Sequence, residues 1–285
     1  MKAILRTDVG KTRTINEDAV FAGEGLYLVC DGMGGHQAGE IAAGMAVEVL
    51  SGALKKKRPG IRVLLSAVAE ANARIFAHAG ERTGLHGMGT TLTALWADER
   101  HVLIAQVGDS RAYLLRGGVL RQCTHDHSMV AELVRNGSIT PEEARTHPQR
   151  NLITRALGTQ SKVDADVFEF ARQQDDRWLL CSDGLTSMVS DAEIAAALSG
   201  APLADADDRL LEGMNGSAVI LSESARDVPL VPLSAVYEDA DGAYVYRLDG
   251  DGQQVRTPIQ TGLSDGTNAQ VLSGLQELSL IHISE

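Results

Sequence analysis

Apolar positions set out two kinds of spacing in the first two-thirds of the chain. Short apolar runs in "GLYLVCD" (Gly25–Asp31) and "RWLLCSD" (Arg177–Asp183) break off at Asp31-Gly32 and Asp183-Gly184. They predict buried strands, each ending on an Asp-Gly pair. "TTLTALWAD", "HVLIAQVGDS" and "RAYLLRGGVLRQCT" predict further strands joined by tight turns, with Gly117-Gly118 as a hairpin signal. Helical spacing marks "AGEIAAGMAVEVLSGALKK" (38–56) and "IRVLLSAVAEANARIFAHAGE" (61–81), and a third helix in "SMVAELVRNG" stops at Gly137. Hairpin-joined strands among long helices predict an α+β fold with antiparallel sheets.

Near Glu212 the pattern changes. "GSAVILSES", "DVPLVPLSAVYED", "GAYVYRLDG", "QQVRTPIQTG" and "AQVLSGLQE" are strand candidates, separated by turn clusters at 239–242, 249–252 and 264–266. No helix is expected there. The expected division is residues 1–211 as an α+β unit, 212–277 as a small all-β segment and 278–285 as an unstructured tail, with "LADADDRLLE" as the last helix before the join. The DxDG clusters lack the terminal Glu of a calcium loop and are expected to be hairpin turns.

Composition narrows the possible functions. A net charge of −12 and a pI near 5.1 argue against a nucleic-acid surface. The one basic run, Lys55-Lys56-Lys57-Arg58, is short and precedes Pro59, as a solvated helix end would. Cys30, Cys123 and Cys181 form no CxxC pair, and an odd count in apolar runs suits free thiols. The N-terminus lacks an apolar signal core and no stretch approaches a membrane span, so the expected location is cytoplasmic.

The Asp-Gly pairs then acquire a chemistry. Two strand ends meeting would bring Asp31 and Asp183 together, and two carboxylates need a cation between them. The candidate ligands are Asp31, Asp183, Asp109, Glu17, Asp18 and the Gly32 carbonyl, all oxygens, which favours Mg²⁺ or Mn²⁺ over zinc. Gly32 is expected to let the backbone turn sharply. Ser110 and Ser182 have no His/Asp pairing that would make either a triad nucleophile. His36 is read as structural or loop-capping, and His125 and His127 as loop structure rather than metal ligands.

"RTINEDA" (Arg13–Ala19), "VCDGMGGHQAGE", "GMGTTLTA", "VGDSRAYLLR", "THDHSMVAELVRNGSITPEEARTHPQRNLITRALG" and "LLCSDGLTSMVSD" occur together. Over about residues 6–211 this set resembles the bacterial PP2C (PPM) family of metal-dependent Ser/Thr protein phosphatases. The resemblance implies an antiparallel β-sandwich flanked by helices. It implies two divalent ions, with a third more weakly held, and a bridging hydroxide that attacks the phosphorus of phosphoserine or phosphothreonine. Asp31 would bridge the ions, the Gly32 carbonyl and Asp183 would each hold one, and Asp109 would serve the third. Glu17 and Asp18 would orient ligands or bound waters, and Arg13 would bind the substrate phosphate. Residues 126–146 resemble a mobile flap beside the cleft. The implied partners are phosphoproteins made by a Ser/Thr kinase. Met33 stands where some relatives place a His, so the general acid is not identified.

The resemblance stops short of the family's closing Gly-Gly-x-Asp-Asn-x-Thr. No Asp-Asn follows Asp183, and Asp227 in "RDVPLV" lacks the Asn. From about Glu212 the chain resembles instead the C-terminal β region of efflux-pump membrane-fusion (periplasmic adaptor) proteins, carried by "VPLSAV" and the hairpin after it. "LSLIHISE" resembles translated adapter read-through. These breaks imply a chimeric chain with an impaired phosphatase. The alternatives are a phosphatase-like module that binds without turnover, and an adaptor fragment carrying a foreign N-terminus.

Overall fold

The computed structural model describes residues 2–9, 15–34, 38–81, 85, 87–200, 216–222, 230–239, 242–248, 254–264 and 268–275. In chain order, β1 (Lys2–Asp8), β2 (Asp18–Gly23) and β3 (Leu26–Met33) precede the long helices α1 (Ala38–Leu54) and α2 (Ile61–Glu81). β4 (Gly89–Thr90), β5 (Leu92–Ala97), β6 (His101–Val107), β7 (Arg111–Arg116) and β8 (Val119–Gln122) follow. Then come α3 (Met129–Arg135), α4 (Pro141–Thr146), β9 (Asp166–Ala171), β10 (Arg177–Cys181), α5 (Asp183–Thr186), α6 (Asp191–Gly200) and β11 (Gly216–Ser222).

These strands make two antiparallel sheets, ordered β1-β11-β10-β7-β8 and β2-β3-β5-β6-β9, with β4 added beside β3. The period-2 alternation of the strands explains the layering. Tyr27 and Val29 of β3 point between the sheets, where they meet Leu95, Ile104, Leu114, Trp178, Leu180 and Val219. Leu26, Leu28 and Cys30 point the other way, under α1 and α2, against Ala42, Leu50, Leu64 and Ile75. On the far side, Leu179 and Cys181 of β10 and Ile220 of β11 pack on Leu185, Ile194 and Leu198 of α5 and α6. The result is an α+β sandwich of four layers, helices outside and sheets inside. Each fully buried Leu or Ile contributes roughly 1.5–3 kcal/mol to it.

Several expectations change in detail. Asp31-Gly32 does not end β3: the strand runs on to Met33, and Gly32 pairs with Thr90. Gly32 provides close approach rather than a sharp turn, because a Cβ there would lie 2.2 Å from the Gly39 carbonyl oxygen and 2.4 Å from that of Glu17. Asp183 does follow a strand, and it opens α5 after Ser182. The Gly117-Gly118 hairpin holds, with φ of 57° and 79°.

The division expected at residue 211 also meets a difference. β11 lies beyond it, yet pairs with β1 on one side and β10 on the other, from Lys2↔Ser222 and Arg177↔Ser222 onward. Ladder hydrogen bonds use only the backbone, so an alternating apolar stretch such as "SAVIL" satisfies the slot whatever follows it. The helix expected at 203–212 lies outside the described residues.

The remaining described strands are β12 (Leu230–Pro232), β13 (Tyr237–Asp239), β14 (Gly242–Leu248), β15 (Gln254–Pro258), β16 (Gln260–Ser264) and β17 (Asn268–Ser273). They form two three-stranded antiparallel sheets, and the helical content described there is one 3₁₀ turn, Leu233–Ala235. Val231, Val245, Ile259 and Val271 make a small separate core. Asp239 pairs with Gly242, which agrees with a hairpin at that DxDG cluster.

Candidate metal centre

Four carboxylates meet at the rim where the two sheets come together. β2 carries Asp18 and β3 carries Asp31, and these residues are direct partners in the ladder. Asp109 sits in the turn between β6 and β7, and Asp183 starts α5 at the end of β10. Asp31 lies near enough to Asp18, Asp183 and Asp109 for each of their charges to act on it. Glu17 lies beside them: its carbonyl accepts from the Gly32 N–H at 3.1 Å.

The backbone of this rim is tied down by hydroxyls. The Asp31 N–H donates to Thr91 Oγ1 at 2.9 Å, and Thr90 Oγ1 donates to the Asp31 carbonyl at 3.0 Å. Thr91 Oγ1 also lies 2.7 Å from Ser110 Oγ, which links β3 to the Asp109 turn. That turn needs glycine at 108, where φ is 97° and a Cβ would meet Thr91. Ser182 Oγ donates to Asp18 Oδ2 at 3.0 Å and accepts from the Ser217 N–H at 3.0 Å. Ser217 Oγ in turn lies 2.8 Å from Thr7 Oγ1, so β11 braces the Asp18 carboxylate.

Burial and crowding oppose ionisation here. Asp31 is held well above the ordinary carboxylate range, first by burial and then by the charges of Asp18, Asp183 and Asp109. Burial also raises Asp18, against the hydroxyls of Ser217 and Ser182, which favour its charged form. Asp109 is pushed up to about 7 by burial, with Asp183 and Asp126 adding repulsion. Burial of the thiols pushes Cys123 up to about 11 and Cys181 to about 12, so they are inert hydrophobes.

A cation would relieve this strain, and the donor set suits one. It is all oxygen, as Mg²⁺ and Mn²⁺ require. Among the described residues, no three His, Cys, Asp or Glu side chains already converge on one ion position.

Of the residues singled out from sequence, the structure brings together Asp18, Asp31, Asp109 and Asp183, with Glu17 and Gly32 alongside. Arg13 and His36 lie outside the described residues, as does Asp227. His127 is a buried strut: its Nδ1 accepts from the Gly108 N–H at 3.2 Å and its Nε2 lies 3.2 Å from Asp166. Sequence reasoning passed over Arg111, which clamps Asp126 with Nη2–Oδ2 at 2.6 Å and so shapes the charge facing Asp109. It also passed over Ser182 as a brace. The signal for Arg111 was present in "GDSR"; Ser182 became meaningful only once β11 was placed beside it.

A family model described as "Protein phosphatase 2C" matches residues 11–210. The chain is 45% identical over 209 residues to "Serine/threonine phosphatase stp" of Listeria innocua, covering 70% of this chain and 83% of that one. The crystal structure of the Mycobacterium tuberculosis serine/threonine phosphatase PstP/Ppp superposes with a TM-score of 0.74 at 40% identity, over 79% of this chain and 99% of that one. A structure of the PstP catalytic domain in complex with two manganese ions superposes with a TM-score of 0.72 at 38% identity, covering 78% and 97%.

Proposed function

Because the chain belongs to the protein phosphatase 2C family, we propose that it hydrolyses phosphoserine and phosphothreonine on proteins at the Asp31–Asp183 cluster. The observation that carries this reading is the crowding of Asp18, Asp31, Asp109 and Asp183 at one rim, where burial and mutual repulsion leave a place for positive charge. Mn²⁺ or Mg²⁺ is the cofactor, and the manganese ions of the PstP catalytic domain favour Mn²⁺. Bound there, two such ions would activate water for in-line attack on phosphorus and neutralise the charge that builds on the phosphoryl oxygens.

The chain's own residues do the rest. Asp31 and Asp183 would hold the ions, helped by the Gly32 carbonyl, and Asp109 would serve a third position. Asp18 and Glu17 orient ligands, and the Ser182 and Ser217 hydroxyls keep Asp18 aimed. Arg13 binds the substrate phosphate as a charge-assisted fork. Arg111 holds Asp126 so that its charge stays fixed near Asp109.

The second ion would be held weakly. The family's closing Asp-Asn is missing, and "GSAVILS" of β11 repairs the sheet without bringing a carboxylate. Metal affinity follows the number of charged oxygens and the rigidity of their cage. Turnover therefore requires millimolar Mn²⁺. The strands after Ser222 take no part in the chemistry, as befits a segment foreign to the phosphatase and similar to an efflux adaptor.

The test is turnover of a phosphothreonine peptide across a Mn²⁺ titration, with Asp31→Asn beside the parent. Metal-dependent release of phosphate that falls roughly 10²–10³-fold in Asp31→Asn supports the reading, the scale of losing one charge-stabilising group. Phosphate release that survives chelation, or that is unchanged in Asp31→Asn, overturns it.

A further inference from the structure

The turn that joins α1 to α2 reads "KKKRPGIRV" (Lys55–Val63) and lies at the pole of the sandwich away from the carboxylates. α1 starts beside the metal centre, where the Gly39 carbonyl crowds Gly32, and its 17 residues carry the chain about 25 Å from there. At that far end the Lys56 N–H donates to Glu24 Oε2 at 3.3 Å, in the turn between β2 and β3. The basic run therefore sits over the hairpin where β3 begins, and the Asp31 site lies near where β3 ends.

Lys55, Lys56, Lys57, Arg58 and Arg62 are all exposed, in a chain of net charge −12. None of them makes an ion pair with another described residue. Acids on neighbouring turns are engaged otherwise: Glu24 takes the Lys56 backbone N–H, and Asp98 Oδ1 accepts from the N–H groups of Arg100 and His101 at 2.7 and 2.8 Å. α2 has no acidic residue in its first turn, so the positive end of its dipole adds to the cluster. Lys56 itself takes the left-handed conformation, with φ of 57°, that glycine ordinarily supplies after a helix. The run is solvated, as its sequence suggests, and its charge is not spent within the protein.

Large aliphatic side chains stand among these cations. Ile61, Val63 and Leu65, in the first turns of α2, are 42%, 36% and 38% exposed. The turn is firmly seated, because Leu54 before it and Leu64 after it are buried under the helices. A soluble polyanion or an acidic protein face would use the cations and leave these aliphatic groups in water. The net charge disfavours nucleic acid. An anionic bilayer uses both: lysine and arginine heads reach the lipid phosphates while aliphatic side chains enter the boundary below the headgroups.

We propose that the α1–α2 turn docks this protein on an anionic lipid surface, with Lys55, Lys56, Lys57, Arg58 and Arg62 against the lipid phosphates and Ile61 and Val63 at the headgroup boundary. The contact is peripheral, since no described helix is long and apolar enough to cross a membrane. A protein seated this way keeps the rim of Asp18, Asp31, Asp109 and Asp183 on the side away from the lipid. The proposal does not depend on the phosphatase reading, because binding to vesicles is measured without turnover.

The experiment sediments the full chain with vesicles of phosphatidylcholine alone, or with about one third phosphatidylglycerol, at about 0.1 M salt. Each basic residue near an anionic surface is worth about fivefold in partitioning, so the parent should prefer the anionic vesicles by on the order of 10²-fold. That preference should largely vanish at about 0.5 M salt. Lys55→Gln/Lys56→Gln/Lys57→Gln/Arg58→Gln should bring binding down to the phosphatidylcholine level. Arg121→Gln/Arg150→Gln, away from the turn, should stay within about twofold of the parent. Ile61→Ser/Val63→Ser should bind anionic vesicles about tenfold more weakly and bind soluble poly-glutamate as the parent does. Far-ultraviolet circular dichroism checks that every variant keeps its helices and strands. Equal binding of the parent to both vesicles, or a preference that the quadruple variant retains, overturns the proposal. Unchanged vesicle binding in Ile61→Ser/Val63→Ser overturns the role given to the aliphatic groups. Poly-glutamate binding that the quadruple variant loses, without any vesicle preference in the parent, would point to an acidic protein partner and overturn the lipid surface.

Discussion

β3 and β11 sit in facing sheets and have opposite histories in the sequence. β3 carries "LYLVCDGM", whose Asp31 and Gly32 are each fixed by chemistry or by close packing. β11 carries "GSAVILS", which lies beyond the family match ending at residue 210, yet pairs along its whole length with β1. The sheet accepts β11 for its backbone and its alternation alone: Val219 faces the gap between sheets and Ile220 faces α5 and α6. The carboxylate rim differs in kind, because Asp18, Asp31, Asp109 and Asp183 bring charged side chains, not only backbone, to one place. A sheet can therefore be completed by a strand that adds nothing acidic to the site on it.

The largest expected effect breaks the structural half of this contrast. Val219→Asp places a charge at a position with no solvent exposure and should cost several kcal/mol, enough to abolish a cooperative unfolding transition of the sandwich. Val245→Asp, in the small C-terminal core, should leave Mn²⁺-dependent turnover in place. Chemical denaturation followed by turnover assays checks both. Loss of turnover in Val245→Asp, in protein whose sandwich is still folded, would mean that the last strands serve the site after all.

Next in size is Arg116→Ala. Asp176 is fully buried and held by Arg116 at 2.7 Å through two bonds. Removing the arginine leaves that carboxylate without a counter-charge, with the Gln173 N–H at 2.9 Å as its remaining donor, and should cost about 3 kcal/mol in denaturant titration. A loss below ~1 kcal/mol would show that the pair is solvated.

Smaller still is the brace on Asp18. Ser182→Ala removes the donor to Asp18 and the acceptor for the Ser217 N–H. Mn²⁺ affinity should fall about tenfold, at the low end for supporting partners of metal ligands. Calorimetric titration of Mn²⁺ measures it, and an unchanged affinity would show that β11 fills the sheet without bracing the site.

The smallest expected effect is a slope. Burial holds the His127 pKa below its ordinary value, so the folded state binds fewer protons than the unfolded state. Its contribution is fully present above about pH 6.5 and is lost as pH falls through that value towards the folded pKa. The slope of stability against pH in this window should flatten in His127→Gln. An equal slope in both proteins would mean that His127 does not titrate below 6.5.

Much of the sandwich was legible because its strands and helices keep clean periods: 61–81 is one helix as the spacing predicts, and the Gly117-Gly118 hairpin stands where its residues put it. The acidic rim was legible from Asp-Gly pairs recurring near strand ends, although Asp31 proved to lie within its strand. What sequence hid depends on pairing across long separations. Nothing near Gly216–Ser222 announces that it fits between β1 and β10, more than 200 residues from one of them.

The most direct test is calorimetric titration of Mn²⁺ into the full chain, with Asp31→Asn and Asp183→Asn alongside. The account predicts a tighter and a weaker binding event in the parent, the weaker one near millimolar, with the tighter event lost in Asp31→Asn and weakened in Asp183→Asn. Equal isotherms in all three proteins would contradict it, since the crowded carboxylates would then not be a cation site.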